Sequence, residues 1–461
     1  MLGDWAGVIA AVDIVARETM LFAAIGFLIG GIDDLAIDLV YARHRLWRRR
    51  LPILDDFQIG ADPGRIAIFV AAWEEADVIG PMLRTALARI DHPDYRIYVG
   101  TYPNDPGTIH AVAEVAECDP RVRLVIGHKA GPTTKADCLN TIWRALLRDE
   151  AAEGWRAKAV VLHDAEDVVH AGELRIFDAL IGPHMVVQLP VHPLIDRRSR
   201  FVSGHYADEF AEAHRKTLVV RQAVGAGLPL AGVGCAIERA CLGRIADLRQ
   251  NAPFDADSLT EDYELGLHIA ASGGSGVFAR VVEYPGGPPI AVRAFFPARL
   301  EAAVRQKTRW MIGIALAGWD RVGWGPARDW RDHWMRMRDR RAPIAILVLI
   351  GAYLALLFWT GSAILHWTTG IAPPSLPPTM EALLTINSGL LVWRLIVRAA
   401  FTGRAYGWRQ ACLSLPRAVV GNFIALVAAQ RALFRYMAML RGAAPKWDKT
   451  AHTFPDEIER Q

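Results

Sequence analysis

From Ala342 to Leu365 the chain runs for 24 residues without one charged side chain. About 20 apolar residues in a helix cross about 30 Å of hydrocarbon, so this run alone argues against a wholly water-soluble protein. Two more stretches approach that length: Met20–Tyr41, most apolar over Met20–Ile32, and Leu383–Ala400. A fourth, Leu415–Met437, carries Arg417, Asn422, Gln430, Arg431 and Arg435. If it crossed, Arg441, Lys446 and Lys449 would lie outside, against the preference of basic residues for the cytoplasmic side. The expectation is three spans and a fourth, amphipathic helix lying on the cytoplasmic face.

Arg43, Arg45, Arg48, Arg49 and Arg50 follow the first apolar stretch. Their position puts the N-terminus outside and the middle of the chain in the cytosol. Charges after the stretch, and no small-residue cleavage site, argue against a removable signal peptide. Asp33, Asp34 and Asp38 near its end fit best at headgroup level, because carboxylates in a span otherwise face protein or water. Pro373, Pro374, Pro377 and Pro378 mark a short outer loop between the second and third spans. Mean hydropathy of +0.18 agrees with a membrane protein. Lys+Arg 52 against Asp+Glu 49 leaves +3, which excludes nucleic-acid binding by bulk charge. The five cysteines are scattered without a C-x-x-C pair, so neither a disulfide framework nor a zinc site is implied, and a reducing compartment fits.

Residues 52–335 read as a water-soluble unit. Arg65–Ala72 is a β-rich run, and Ala76–Ala88 has helical spacing at Ile79, Met82, Leu83 and Leu87. Strands at Tyr95–Val99, Val122–Ile126 and Ala159–Leu162 alternate with helices at Thr108–Glu117 and Lys135–Asp149. That alternation predicts an α/β fold with a parallel, doubly wound sheet. Ligands of such sheets bind beyond the carboxyl ends of the strands. Polar clusters fall at three of those ends: Trp73–Glu75, Tyr102–Asp105 and Asp164–Asp167.

Asp164, Glu166 and Asp167 supply the hard oxygen ligands that suit Mg²⁺ or Mn²⁺ beside a phosphate. An acidic helix start gives the same pattern through the helix dipole. A second acidic knot, Ser258–Tyr263, opens a helix with Thr260 as a candidate cap. Gln306 and Arg309 are three apart and share a helix face, with Trp310 beside them. Such a face suits a sugar or a diphosphate, and equally an interfacial helix anchored by Trp310 and Trp319. No G-x-G-x-x-G follows the first strand, which excludes a dinucleotide-binding dehydrogenase.

In order, Val70-Ala71-Ala72-Trp73-Glu74-Glu75, Asp164-Ala165-Glu166, Thr260-Glu261-Asp262 and Gln306-x-x-Arg309-Trp310 resemble the membrane-bound, processive branch of glycosyltransferase family 2. Cellulose and hyaluronan synthases belong to that branch. The resemblance spans about residues 60 to 365. Gly31–Tyr41 and Lys446–Pro455 resemble one subgroup of inner-membrane members, which carries a cyclic-di-GMP-binding domain at its C-terminus. Ending at Gln461, this chain is expected to have no room for one.

The resemblance implies a GT-A fold and a UDP-sugar donor, with UDP-N-acetylmannosamine or UDP-N-acetylglucosamine favoured. It implies that Trp73 and Glu75 cradle the uridine, with Asp105 at the uracil edge and Lys135 near the nucleotide. Asp164 touches the nucleotide, and Glu166 holds a divalent metal (Mg²⁺ or Mn²⁺). Gly232–Cys235 lines the acceptor site. Asp262 is the general base, with Glu261 beside it, and Gln306, Arg309 and Trp310 hold the acceptor end and the leaving diphosphate. Three positions depart from the family pattern. Ala71 replaces Pro, Glu74 replaces Asn next to Glu75, and Glu166 replaces the second Asp of D-x-D, so neighbouring Asp167 stays open as the metal ligand.

The expected organisation is a transmembrane helix and basic segment at 1–50, the GT-A unit at 51–297 and interface helices at 298–341. Two spans at 342–402 and a surface helix with tail at 403–461 follow. The implied activity is inverting transfer to a growing exopolysaccharide at the bacterial inner membrane, with the catalytic unit in the cytoplasm. The acceptor is a growing glycan or lipid. Three spans are few for a sugar-width path, so either the fourth stretch crosses after all or the chain needs a homo-oligomer or an outer-membrane export partner; a cyclic-di-GMP-responsive partner is left open, and no nucleic acid is expected. Two alternatives stay open: transfer of one sugar to a polyprenyl phosphate, and a membrane scaffold or phage-uptake factor with a dead transferase domain.

Overall fold

The computed structural model describes residues 2–47, 50–60, 63–443 and 453–455. It begins with one long helix, α1 (Leu2–Trp47). Strands and helices then alternate: β1 (Ile66–Ala71), α2 (Ala76–Arg89), β2 (Tyr95–Thr101), α3 (Pro106–Cys118), β3 (Val122–Ile126), α4 (Lys135–Glu153) and β4 (Ala159–His163). There follow α5 (Glu173–Leu180), β5 (Val186–Gln188), β6 (Val191–Leu194), α6 (Val202–Glu212), α7 (Leu218–Ala223), β7 (Cys235–Glu238), α8 (Arg239–Leu248), α9 (Glu261–Ala271), β8 (Gly276–Phe278) and β9 (Val292–Phe295). The rest is helical: α10 (Leu300–Trp310), α11 (Gly318–Arg321), α12 (Trp330–Arg340), α13 (Ala342–Thr369), α14 (Pro378–Tyr406) and α15 (Trp408–Leu440).

Seven strands form one sheet in the order β3-β2-β1-β4-β7-β5-β8, and β6 pairs with β9 in a second, two-stranded sheet. Every residue of β1 and β4 is buried, as expected of strands covered on both faces. Side chains of α2, α3 and α5 pack on one face, and those of α4, α8 and α9 on the other. The wholly parallel sheet expected from the alternation is corrected at one strand. β7 runs antiparallel to both β4 and β5. The loop before it arrives at the carboxyl end of β4, where the Gly234 N–H donates to the Leu162 carbonyl at 3.0 Å. From there the chain can only run back down the sheet.

Four helices, α1, α13, α14 and α15, are long and apolar enough to cross a membrane. The three expected spans lie inside the first three. The stretch expected on the surface lies in α15, so among the described residues four helices meet this standard of length and composition. Its buried residues Ser414, Arg417, Ile424, Ala428 and Ala432 recur at helical spacing. Ile424 and Ala428 pack against Tyr206 of α6 and Ala303 and Val304 of α10. Arg417 is fully buried, and it donates to the Arg200 carbonyl at 2.7 Å and to Asp208 at 3.3 Å. Those partners explain how a guanidinium is tolerated in an apolar helix.

Asp33, Asp34 and Asp38 face protein. Arg338 and Arg341 each pair with Asp33 and Asp34. Arg394 of α14 reaches Asp34 at 3.2 Å. Lys216 meets Asp38 at 2.5 Å, and the Trp393 indole donates to the same carboxylate at 2.8 Å. The acids thus tie α1 to α12, α14 and the Ala213–Thr217 stretch. Of the segment 446–455, residues 446–452 lie outside the described residues, whereas Phe454 packs against the core.

Candidate active site

The carboxyl ends of β1 and β4 open onto one cavity, closed from the far side by α9 and α10. After β1, Glu74 takes a left-handed backbone (φ 52°), a conformation costly for a residue with a side chain and common at functional turns. Its N–H donates to Asp105 Oδ2 at 2.5 Å, and the Glu75 N–H donates to Thr108 Oγ1 at 2.9 Å. The turn sends Glu74 to the surface and buries Glu75 in the cavity wall. Of the adjacent pair, Glu75 is the one that faces the site.

Trp73 and Asp105 are not brought to the cavity wall, and of the expected acceptor-lining stretch Gly232–Cys235 only Val233 is. Asp105 caps α3 through the Thr108 N–H at 3.3 Å, so both of its oxygens serve the backbone of this turn. Trp73 stands edge-on to Tyr102, ring centroids 5.1 Å apart. The Gly131 backbone lies so close that a Cβ there would come within 2.6 Å of the indole. Both residues shape the turn from behind.

β4 ends at His163, and the loop Asp164–Asp167 follows. The Asp164 N–H donates to Asp167 Oδ2 at 2.9 Å. His163 lies between two carboxylates, with Nδ1 at 3.0 Å from Asp167 and Nε2 at 2.8 Å from Glu173, all of them buried. Burial opposes the imidazolium, but the Glu173 charge and then the bond to Asp167 carry His163 up to about 10. The ring is therefore charged and donates on both sides, which fixes the loop. The i,i+4 spacing of His163 and Asp167 was a visible signal for this support. Glu173 gave none.

Asp164, Glu166 and Asp167 all line the cavity. Asp164 pairs with Lys135, the first residue of α4. Burial works against the lysine charge, yet Asp164, then Glu261 and Asp262, more than offset it. The ammonium is thus shared among three carboxylates. It also reaches the Gly232 carbonyl at 3.5 Å.

Glu261 and Asp262 form the first turn of α9, where the helix dipole favours acids. Burial pushes both carboxyls above their ordinary range. Gly232 has φ +74°, and a Cβ there would lie 2.6 Å from Asp262 Oδ2, so glycine is what lets this loop approach the acid.

Across the cavity α10 presents Gln306, Arg309 and Trp310. Gln306 Oε1 is buried without a hydrogen-bond partner, a costly state unless a ligand fills it. Beyond Trp310 the helix widens into a π-helical stretch, Met311–Leu316, a form that recurs at functional sites. There a Cβ on Gly313 would overlap Thr260 Oγ1, so the two motifs touch. Trp310 stands edge-on to Tyr206 at 6.1 Å, with the Lys307 ammonium 4.8 Å above its ring. Phe210 of α6 and Phe296, centroids 4.9 Å apart, complete an aromatic wall. The sequence reading missed Phe210, because α6 carries no recognisable motif.

The profile of the family described as "Glycosyltransferase like family 2" matches residues 63–313, more than half of the chain. Bacteriophage adsorption protein B of Escherichia coli (strain K12) is 36% identical over 94% of this chain. Bacteriophage N4 adsorption protein B of Escherichia coli O157:H7 is similar to the same extent. The chain spans 61% of the length of each. Among solved structures, a mannosyltransferase of Pyrobaculum calidifontis, in complex with GDP-Man and Mn²⁺, is similar with a TM-score of 0.56. It is 18% identical, over 90% of this chain and 99% of its own, and shows a shared fold. By the profile, in keeping with its GT-A architecture, the chain belongs to glycosyltransferase family 2.

Proposed function

We propose that the chain transfers a sugar from a UDP-sugar to a growing exopolysaccharide, with inversion at C1, at the cytoplasmic face of the bacterial inner membrane. The observation that carries this reading is convergence. Glu75, Lys135, Asp164, Glu166, Asp262, Gln306, Arg309 and Trp310 come from motifs more than 200 positions apart, yet they line one cavity.

The chemistry is one in-line displacement. The acceptor oxygen forms a bond to C1 as the bond from C1 to the diphosphate breaks. The acceptor proton passes to Asp262, which must lie within about 2.6–3.2 Å of it. Burial makes Asp262 a stronger base than a surface aspartate. The departing nucleoside diphosphate carries the electron pair, and Arg309 and Lys135 are the cations beside it. Trp310, Phe210 and Phe296 form the apolar face against which the acceptor sugar rests.

Among the described residues no three His, Cys, Asp or Glu side chains converge as a closed metal site. Mg²⁺ and Mn²⁺ do not need one, since one or two carboxylates and substrate phosphates suffice. Glu166, with Asp164 beside it, fits that donor set. Asp167 is committed to His163 and to the Asp164 amide. A bound divalent ion there would neutralise charge on the diphosphate.

α15 in this reading lies along the cytoplasmic face, since its buried stripe docks on α6 and α10 of the site-bearing unit. Three crossings then leave the product path incomplete in one chain, which favours an export partner. The relatives are named for phage adsorption, and a surface glycan is a chemistry that such adsorption can require. UDP-N-acetylmannosamine and UDP-N-acetylglucosamine are the donors to try first. Control through a cyclic-di-GMP-responsive partner belongs to the same reading.

The test is release of nucleoside diphosphate by detergent-purified protein over a panel of donors, with Mg²⁺, Mn²⁺ or EDTA. Release with one UDP-sugar, lost in EDTA and in Asp262→Asn, supports the reading. A product of one sugar on polyprenyl phosphate would replace the polymer, and release insensitive to Asp262→Asn would remove the base.

A further inference from the structure

A second cavity adjoins the transferase site and shares Val191 and Phe210 with it. Its wall is built from β6, the Ala213–Thr217 stretch, the segment after β8 and the end of α14, with Arg215, Arg280, His192, His214 and Tyr406 among its lining. Its volume is about 160 Å³, room for several water-sized groups. Arg280 also borders a neighbouring cavity lined by His44 and Arg50. The two cavities together form a cleft where α1 and α14 meet the α/β unit.

Among the described residues the lining of the cleft has cations and no Asp or Glu. Arg215 and Arg280 line the same cavity; Tyr41, Arg45 and Arg215 act electrostatically on Arg280, and Tyr406 and Tyr41 on Arg215. Among the described residues no carboxylate forms an ion pair with either arginine. Arg215 gives one hydrogen bond, to the Arg404 carbonyl at 3.3 Å. Burial depresses both guanidinium pKa values, and Arg45 and Arg215 add to the effect at Arg280. Elsewhere at the helix ends buried cations are matched: Arg338, Arg341 and Lys216 all pair with aspartates. The neutral side chains here are donors too. The Val191 N–H donates to His214 Nδ1 at 3.1 Å, which leaves the proton on Nε2. His192 stacks on Tyr406 with centroids 4.4 Å apart.

Two guanidiniums in one cavity without an acid repel each other, and a phosphate oxygen group is the ligand that their planar forks fit. We propose that Arg215 and Arg280, with His44 and Arg50 at the rim, bind the phosphate of an anionic ligand in this cleft. The ends of α1 and α14 meet here, at headgroup depth in the membrane placement proposed above. An anionic lipid headgroup is therefore the first source, and a soluble phosphate ester the second.

The full chain, stripped of lipid in detergent, is followed by thermal unfolding and native mass spectrometry. The probes are phosphatidylglycerol, phosphatidylcholine and glycerol 1-phosphate. Wild type should gain thermal stability with phosphatidylglycerol and retain one such lipid, with phosphatidylcholine weaker. Arg280→Gln should bind about tenfold more weakly, the loss expected for one charge-assisted hydrogen bond. Without ligand the variant should unfold at the same temperature or higher, because it relieves repulsion with Arg215, and this separates lost binding from misfolding. Arg215→Gln gives a second reading of the same loss. A response to glycerol 1-phosphate that Arg280→Gln abolishes assigns the site to a soluble phosphate, and the site then stands even if the membrane placement fails. Equal responses in wild type and both variants, or no response to any probe, overturn the proposal.

Discussion

The transferase cavity and the helix junction are built from the same kinds of charge in opposite arrangements. At the junction Asp33, Asp34 and Asp38 meet Arg338, Arg341, Arg394 and Lys216, and the acids and bases satisfy one another. In the cavity six acids, Glu75, Asp164, Glu166, Asp167, Glu261 and Asp262, share the wall with two cations, Lys135 and Arg309, and Gln306 Oε1 is left without a partner. Buried charges that cancel each other hold helices together. Acids that outnumber the cations around a cavity suit a site that takes up a charged ligand. The comparison predicts that mutations in the two regions separate: one set removes turnover and spares stability, and the other does the reverse.

Asp262→Asn should show the first half most strongly. Turnover should fall by about 10²–10⁴, the range for loss of a positioned base, while calorimetry finds donor binding unchanged. The unfolding temperature should hold or rise, since the variant removes one of the six acids that line the cavity. A large drop in stability together with turnover would mean that the cavity is a clamp like the junction.

Asp34→Ala should show the second half. It strips a shared partner from Arg338, Arg341 and Arg394. Breaking a buried pair from one side costs about 3–5 kcal/mol, so denaturant unfolding in detergent should shift by an amount of that order. The fraction that remains folded should keep wild-type turnover.

Gly313→Ala tests the seam where the two acidic and aromatic motifs touch. Its Cβ would fall on the Thr260 side chain, and overpacking of this kind costs about 1–3 kcal/mol. Turnover should fall more than stability explains, because the displaced Thr260 begins the turn that carries Asp262. Thr260→Ala should restore part of the loss, and no restoration would dissociate the seam from the site.

Sequence reached these two regions to different depths. β1 to β4 and α2 to α4 were legible because each is a long run with a clean change of period. β5, β7 and β8 have three or four residues each, too short for periodicity, so the antiparallel turn of β7 stayed hidden. The motifs at Asp164, Asp262 and Gln306 were legible, and the fold brings them to one cavity. The side chains that brace it, His163 with Glu173 and Phe210 with Phe296, meet only through tertiary packing. Trp73 and Asp105 were legible as a turn, but only the fold shows which way the turn faces. The junction was half visible: three acids in an apolar helix were conspicuous, while their partners lie about 180 to 360 positions away.

The smallest effect is one of pH, and it sets activity and stability in the cavity against each other. Burial holds Asp262 and Glu261 above the values they have in the unfolded chain, 3.8 and 4.5. Between the unfolded and folded pKa values the folded protein therefore binds protons that the unfolded chain has released. The stability these carboxyls contribute is complete below the unfolded values and is lost as pH rises through the folded ones. Over the same window Asp262 sheds its proton and becomes competent as a base, so kcat/KM rises. Its acid limb should lie above pH 3.8, the unfolded aspartate value, and the unfolding temperature should fall along that limb. Glu261→Gln should flatten the stability slope and leave a rising rate limb, because it removes one of the two titrating acids and keeps the base. A rate limb at the ordinary aspartate value, with no stability slope, would make these acids as fully compensated as those at the helix junction.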